Sequence, residues 1–284
     1  MMFTNKLLAR WYQPTLNWGD ALNPYLIERL SEKKVANTLY PRINFRKLLQ
    51  RSQLTKQSEY LVIGSILSWG HSQPDRAEIW GAGFMSPSES ISKKPRAVHA
   101  VRGRLSQQVL LNQGIECPDV FGDPALLLPL LYNPVIAKKF KIGVIPHYVD
   151  KNLASKLISS DQDYLKIIDI EQDIESFVDE ILECSVIISS SLHGLIAADA
   201  YGIPSRHITF SNNISGGDFK FKDYYSGIGS NYFPSISIKS FNDLSNIESE
   251  CIKHSIPQDT IKKLLSSCPF ISNSVYDRLS NKIR

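Results

Sequence analysis

Long apolar runs and paired cysteines are both missing from this sequence of 284 residues. No stretch approaches the roughly 20 apolar residues that a membrane-spanning helix needs, and the first residues lack the apolar core of a secretory signal peptide. The cysteines are widely separated, form no C-x-x-C pair and are expected to be reduced; they are Cys117, Cys184, Cys251 and Cys268. These absences predict a cytoplasmic protein and leave peripheral contact with the inner face of the membrane open.

The signature motifs of several large enzyme classes are absent as well. There is no P-loop, no G-x-G-x-x-G, no G-x-S-x-G and no H-E-x-x-H, which argues against nucleotide kinases, nicotinamide enzymes, serine hydrolases and zincins. No cluster of His, Cys and carboxylates has the spacing of metal ligands, so we expect neither a metal nor another cofactor. The net charge is only +4 and no Lys/Arg run occurs, so we expect no nucleic-acid partner.

Short apolar segments alternate with amphipathic segments along the whole chain, which predicts an α/β fold with parallel strands and helices on the faces of the sheet. Strands are predicted at 7–12, 60–63, 79–80, 97–101, 141–145, 165–170 and 186–189. Helices are predicted at 20–30, 104–113, 173–184 and 192–201, with two more after Pro257, split near Pro269.

The alternation restarts after Pro134, which predicts an N-terminal α/β domain at 1–135 and a C-terminal α/β domain at 136–284. The last helix is placed back against the N-terminal half. Segment 211–232 is rich in Ser, Asn, Gly and Tyr, and we interpret it as a long loop of the kind that is often functional.

Three junctions between a strand and the following segment are rich in polar residues. In open α/β sheets, ligands bind at the carboxyl ends of the strands. Gly19-Asp20 opens a helix and is also explained by simple capping. Ser191-Leu192-His193 opens another, where free N–H groups and the helix dipole favour an anion. Arg102 follows a strand and can bind a carboxylate or phosphate in a bidentate fork, although solvated arginines at a sheet edge explain it equally well.

Taken in order along the chain, several short motifs resemble the polysaccharide pyruvyl transferase family. The matching pieces are Asn17-Trp18-Gly19-Asp20 with Leu22-Asn23, Gly64-Ser65, Trp80-Gly81-Ala82-Gly83, Val101-Arg102-Gly103 with Ser106, Gly122-Asp123-Pro124-Ala125, Ser190-Ser191-Leu192-His193-Gly194 and Lys220-Phe221-Lys222-Asp223-Tyr224. Together they span most of the chain, and it is the ordered set rather than any single piece that is specific.

The resemblance implies a GT-B-like fold, with two Rossmann-like domains and an active site in the interdomain cleft. It also implies transfer of pyruvate from phosphoenolpyruvate to a sugar diol of a bacterial polysaccharide (exopolysaccharide or capsule) or its precursor, forming a ketal and releasing phosphate. In the family the strand-end Arg and the Leu-His pair bind the donor, which corresponds here to Arg102, Leu192 and His193. Some members carry Arg immediately before Leu-His, where this chain has Ser191. Arg104, Lys220 and Lys222 are candidates for that missing cation.

The complete set of predicted site residues combines the junctions with the resemblance. His193 is the candidate acid/base, because forming the ketal needs a proton at the vinyl carbon and the removal of two hydroxyl protons. Asp20 and Asp123 are candidates for orienting the acceptor. Further donor contacts are predicted at Ser191, Asn17, Gly19, Gly81 and Gly83. Contacts to the acceptor or from the loop are predicted at Lys220, Lys222, Asp223 and Tyr224.

Two functions of other kinds stay open on the same residues. One is a GT-B-like glycosyltransferase that uses a nucleotide sugar, and the other is a non-catalytic protein that binds a carbohydrate or an anion. The acceptor itself stays open too, as a nucleotide-linked, lipid-linked or polymeric sugar.

Overall fold

The computed structural model describes residues 6–14, 17–39, 57–69, 74–158, 163–214 and 216–283. Within these ranges the first half of the chain forms a parallel sheet of five strands in the order β2-β1-β3-β4-β5. Its strands are β1 (Leu7–Ala9), β2 (Val35–Asn37), β3 (Glu59–Leu61), β4 (Ala77–Trp80) and β5 (Ala97–Ala100).

The second half forms another parallel sheet of five strands, in the order β10-β9-β8-β6-β7. Its strands are β6 (Phe140–Ile145), β7 (Leu165–Ile167), β8 (Cys184–Ser189), β9 (Ser205–Thr209) and β10 (Ile236–Ser237). The prediction of an α/β fold with parallel strands is therefore confirmed. The GT-B-like arrangement and the domain boundary at 135 stay predictions.

The described helices separate the strands along the chain. They are α1 (Trp18–Ser31), α2 (Arg104–Leu111), α3 (Leu128–Leu131), α4 (Lys151–Leu157), α5 (Ile174–Leu182), α6 (Leu192–Ala200), α7 (Phe219–Gly227), α8 (Ile247–Glu250), α9 (Gln258–Ser266) and α10 (Asn273–Ser280). Short 3-10 turns lie at Pro74–Arg76, Pro124–Leu127, Tyr148–Asp150 and Phe241–Leu244. In the described part of the chain no helix is long and apolar enough to cross a membrane.

The interpretation of 211–232 as a long loop is wrong, because α7 occupies its centre. Phe221, Tyr224, Tyr225 and Ile228 are all buried, and their spacing is that of one helix face. In the sequence, the lysines and the aspartate between these apolar residues make the helical period hard to recognise. Of this segment, residue 215 lies outside the described residues.

The cores of the two halves are continuous. The indole of Trp18 in α1 packs on Phe177 in α5, with ring centroids 4.7 Å apart, and donates a hydrogen bond to the carbonyl of Ile174. Trp80 at the end of β4 donates to the carbonyl of Leu264 in α9 and meets Phe270 edge to face. The C-terminal helices therefore pack against the N-terminal half, which brings the carboxyl ends of the two sheets to a shared cavity.

Candidate active site

A cavity of about 300 Å³ opens between the carboxyl ends of strands from both sheets. Each strand that reaches it contributes the residues just after its last position, as the geometry of parallel sheets requires. The first half contributes Tyr12, Asn17, Asp20, Gly64, Ser65, Ile66, Trp69, Met85 and Arg102. The second half contributes His147, Tyr148, Val149, Ser191, Leu192, His193, Asn213, Ile214 and Lys220.

Arg102 follows β5 and is almost fully buried, with 1% of its surface exposed. Its Nε donates to Asp223 Oδ2 (2.9 Å), Nη1 to Ser65 Oγ (2.7 Å) and Nη2 to the carbonyl of Phe84 (2.6 Å). A Cβ on Gly83 would lie 2.5 Å from the guanidinium carbon, so the glycine makes room for this side chain. Arg102 is thus held in place by three acceptors before any ligand binds.

Asp223 in α7 is fully buried and shared between Arg102 and helix α2. Its Oδ1 accepts from the backbone N–H of Ser106 (2.7 Å), and its Oδ2 also accepts from the hydroxyl of Ser106 (2.6 Å). The carboxylate therefore neutralises Arg102 and anchors α7 to the first half. It does not line the cavity.

Lys220, one turn earlier in α7, is the lysine that reaches the cavity. Only 7% of it is exposed, and among the described residues no carboxylate pairs with its Nζ. Burial, and in second place the positive charge of Arg102, lower the pKa of Lys220 to about 8. A buried cation without a counter-ion is costly, and an anionic ligand in the cavity would compensate it.

The start of α6 forms the wall of the cavity opposite the first sheet. Ser191 precedes the helix, is 4% exposed and makes no side-chain cap, so its hydroxyl is left for a ligand. Leu192 adds an apolar surface. A Cβ on Gly19 would overlap the ring of His193, so the histidine packs directly on the backbone of α1. The first turn of α6 lies at the cavity, and the free N–H groups at a helix start favour an anion.

Two further titratable groups flank His193. Burial raises the pKa of Asp20 to about 6, opposed by the charge of His193 and by the hydrogen bond from Asn17 Nδ2 (3.0 Å). Burial lowers the pKa of His147 to about 4, and the charges of Lys220 and His193 add to this. Near neutral pH Asp20 is thus close to its titration point, and His147 is neutral.

The structure brings half of the predicted site residues together at the cavity. Those that line the cavity are Asn17, Asp20, Arg102, Ser191, Leu192, His193 and Lys220. Asp123 lies behind His193, at 1% exposure. Gly81 and Gly83 do not line the cavity: they accommodate Pro124 and Arg102 respectively.

Other predicted residues are not brought to the cavity. Lys222 is exposed, with Nζ 5.8 Å from the ring centroid of Tyr232. Arg104 lies over Phe121, and Tyr224 is fully buried. Because α7 is a helix, Lys220 and Lys222 point to different sides, and the structure favours Lys220 as the cation near Ser191.

Sequence reasoning missed the aromatic lining, which comes from Tyr12, Trp69 and Tyr148. These rings are half-buried, and Tyr12 meets Trp69 edge to face with centroids 6.2 Å apart. Burial, and after it the nearby side chains of Tyr12 and Asp20, raise the pKa of Tyr148, so the three groups are neighbours. Their position just after a strand or turn was the signal available in the sequence.

An α/β protein with a cationic, partly aromatic cavity at the carboxyl ends of two parallel sheets is the class that this fold and site define. The sequence profile of the polysaccharide pyruvyl transferase family matches residues 79–212, a range that contains Arg102, Asp123, His147 and His193. The chain belongs to the polysaccharide pyruvyl transferase family.

Two curated proteins are similar over most of the chain. Uncharacterized protein L143 of Acanthamoeba polyphaga mimivirus is 30% identical over 230 residues, which cover 79% of this chain and 75% of that protein. The succinoglycan biosynthesis protein ExoV of Rhizobium meliloti (strain 1021) is 25% identical over 228 residues, which cover 79% of this chain and 65% of that protein. This chain therefore spans slightly less than two thirds of the length of ExoV.

Proposed function

We propose that the protein transfers pyruvate from phosphoenolpyruvate to two hydroxyls of a sugar in a polysaccharide or its precursor, forming a ketal and releasing phosphate. Family membership supports the reaction class. The main support for phosphoenolpyruvate as the donor comes from Lys220. This buried lysine has no carboxylate partner in the described structure and lines the cavity together with Arg102 and the start of α6. Phosphoenolpyruvate carries a phosphate and a carboxylate close together, which matches this grouping of donors.

The donor occupies the end of the cavity formed by Lys220, Arg102 and Ser191. Arg102 is already neutralised by Asp223, so it contributes directed N–H groups rather than a free charge. Lys220 contributes the net positive charge, in the place of the arginine that other family members carry at the position of Ser191. The N–H groups at the start of α6 complete the anion site.

The reaction requires a balanced movement of protons. The two sugar hydroxyls each lose one proton as their oxygens bond to C2 of the donor. One proton goes to the methylene carbon, which becomes the methyl group. The other leaves with the phosphate as hydrogen phosphate when the bond from C2 to the phosphate oxygen breaks. His193 is the group that exchanges these protons with the substrate, and Asp20, with a pKa of about 6, accepts a hydroxyl proton beside it.

The acceptor sugar occupies the aromatic end of the cavity, at Tyr12, Trp69 and Tyr148. Half-buried aromatic rings offer apolar faces to the C–H surface of a sugar, and Asp20 lies next to them. His193 lies near both Asp20 and His147, and Lys220 lies near His147, since these charges act on the neighbouring pKa values. The two substrates thus meet at His193.

The arrangement of the sheets supports a GT-B-like fold for this enzyme, with the cavity as its interdomain cleft. The proposal assigns the N-terminal domain to 1–135 and the C-terminal domain to 136–284, and places the enzyme in the cytoplasm, where phosphoenolpyruvate is made. Its product would enter an exopolysaccharide or capsule.

The test is phosphate release from phosphoenolpyruvate against a panel of acceptor glycosides, with donor binding measured in parallel by thermal melts. A ligand that binds only the folded state raises the melting temperature, so millimolar phosphoenolpyruvate should stabilise the wild-type protein and nucleotide sugars should do less. Lys220→Met should abolish this stabilisation. Lys222→Met is the matched control, since its side chain is exposed on the same helix.

The same experiment separates the other functions. A large shift with a nucleotide sugar and none with phosphoenolpyruvate would replace the proposal by a glycosyltransferase. If phosphoenolpyruvate stabilises the protein but no acceptor in the panel leads to phosphate release, the protein is a binding protein and not an enzyme of this kind. His193→Ala should keep the fold and the donor-induced shift but lower turnover by roughly 100-fold or more, the usual contribution of proton transfer.

A further inference from the structure

Two buried polar atoms without a partner face each other behind the cavity. Nε2 of His193 and Oδ2 of Asp123 are both inaccessible to solvent, and neither forms a hydrogen bond within the described structure. They lie 3.7 Å apart. Buried polar atoms are rarely left unpaired, because each costs the free energy of its lost hydration. A shift of the ring or the carboxylate by about 1 Å would bring this pair to hydrogen-bond distance.

The local structure holds Asp123 where it can serve His193. Asp123 precedes the 3-10 turn Pro124–Leu127, and its Oδ1 accepts from the backbone N–H of Ala125 (2.9 Å). Pro124 packs against Gly81, where any side chain would overlap it. Capping therefore uses one carboxylate oxygen and leaves the other aimed at the histidine. Asp123 is 1% exposed and, unlike Arg102, does not line the cavity.

The other ring nitrogen of His193 has a different environment. Nδ1 lies against the backbone of Gly19, where an added Cβ would come within 2.0 Å of it, and Asn17 and Asp20, which flank this glycine in the sequence, line the cavity. It is not among the buried unpartnered atoms. The imidazole is thus oriented with one nitrogen toward Asp123 and the other toward the space that the substrates occupy.

We propose that Asp123 is a positioning residue for His193: its carboxylate accepts a hydrogen bond from Nε2–H, which fixes the ring and leaves the lone pair of Nδ1 facing the cavity. When Nδ1 takes a proton from a sugar hydroxyl, the buried carboxylate of Asp123 balances the charge of the imidazolium. Aspartates behind catalytic histidines act in this way in other enzymes. The inference rests on the proposed function only in assigning the proton transfer to His193.

The decisive measurement is the tautomer of His193, read by ¹⁵N NMR of the full-length protein labelled at histidine. The chain has six histidines, and the spectrum of His193→Gln assigns the signals of His193. We expect the Nε2–H tautomer in the wild-type protein. The Nδ1–H tautomer would overturn the proposal, and this result does not depend on any turnover.

The variant Asp123→Asn distinguishes the role of Asp123 in positioning His193 from its role in capping the 3-10 turn. The asparagine Oδ1 still accepts from Ala125, but its NH₂ group faces His193 and can only donate, so the ring should switch to the Nδ1–H tautomer. Turnover should fall by about 100-fold, with the KM for phosphoenolpyruvate within about threefold of wild type. Asp119→Asn, at an exposed position shortly before, should change none of these.

The groups that face His193 from the other elements are Asp20, His147 and Lys220. An unchanged tautomer in Asp123→Asn, with only a lower melting temperature, would show that Asp123 merely caps its turn. A tautomer switch without any phosphate release from phosphoenolpyruvate would support the pair while rejecting the proposed reaction.

Discussion

Arg102 and Asp223 form a buried ion pair with 2.9 Å between Nε and Oδ2, and they lie 121 positions apart in the sequence. The pair joins the end of β5 in the first half to α7 in the second half, and Lys220 is one turn from Asp223 on the same helix. The contact that fixes Arg102 at the cavity therefore also positions the lysine beside it.

Breaking this pair from either side should destabilise the protein. Removing one partner of a buried ion pair leaves an unpaired charge, which costs about 3–5 kcal/mol. Asp223→Asn should lose free energy of unfolding in that range, measured by urea denaturation. Arg102→Lys should also be destabilised and weaken donor use, because one ammonium group cannot reach Asp223, Ser65 and Phe84 together. Wild-type stability and kinetics in Arg102→Lys would contradict this role.

The pH dependence of donor binding should report Lys220. Its pKa of about 8 means that the free protein carries the charge below pH 8 and loses it above. An anionic ligand favours the charged form, so binding takes up a proton near pH 8 and the Kd for phosphoenolpyruvate should rise about tenfold per pH unit beyond it. Isothermal titration calorimetry in two buffers of different ionisation enthalpy measures both the number of protons taken up and the Kd. The dependence should vanish in Lys220→Met and persist in Lys222→Met.

Gly19→Ala should damage the site more than the fold. Alanine is about 1 kcal/mol better than glycine in a helix, yet the new Cβ would occupy the space of the His193 ring. We expect a melting temperature close to wild type and turnover reduced to the level of His193→Ala. The double variant should be no slower than His193→Ala, since both changes remove the same ring. Additive losses would place the effect of Gly19 elsewhere.

Asp199 provides a prediction about stability. It lies in α6, accepts hydrogen bonds from the hydroxyl of Tyr224 (3.0 Å) and from Ser205 (3.3 Å), and meets no cation among its described contacts. Burial raises its pKa to about 8, so the folded state binds the proton more tightly than the unfolded state. Its contribution to stability therefore falls as pH rises from about 4 to about 8. Asp199→Asn should gain stability relative to wild type across that window, in melts at several pH values.

The control for this measurement is Asp277→Asn, because Asp277 is exposed on α10. The stability of the Asp277→Asn variant should equal that of the wild-type protein at every pH. A constant difference between Asp199→Asn and wild type from pH 5 to pH 9 would show that Asp199 does not titrate in this window.

Activity should persist in a metal chelator. In the described ranges no group of three or more His, Cys, Asp or Glu side chains is placed to hold a metal ion, and Lys220, Arg102 and the start of α6 already supply positive potential for an anion. Phosphate release should be unchanged after dialysis against EDTA. Complete loss that added Mg²⁺ or Zn²⁺ restores would contradict a metal-independent reaction.

Much of the fold was predictable from local pattern. Six strands (β1, β3, β4, β5, β6 and β8) and the helices α1, α2, α5 and α6 were predicted within a few residues, because buried strands and amphipathic helices leave periodic traces. The strand β9, which leads to Asn213 and Ile214 at the cavity, was not predicted. Elements with little apolar content were missed: β2 and β10 are three and two residues long, and α7 hides its buried face among lysines and an aspartate. Short or mixed segments take their structure from tertiary contacts that no local window contains.

The sequence by itself determined the parallel α/β architecture, the strand ends that carry Arg102 and His193, and the ordered motifs of the family. Only the tertiary structure decided which cations matter: Arg102 is neutralised by Asp223 in α7, while Lys220 is left without a carboxylate in the described cavity. It also placed Asp123 behind His193 and outside the lining of the cavity. The physical reason is that charge and orientation depend on which groups lie within a few ångströms, and these groups come from strands and helices far apart in the chain.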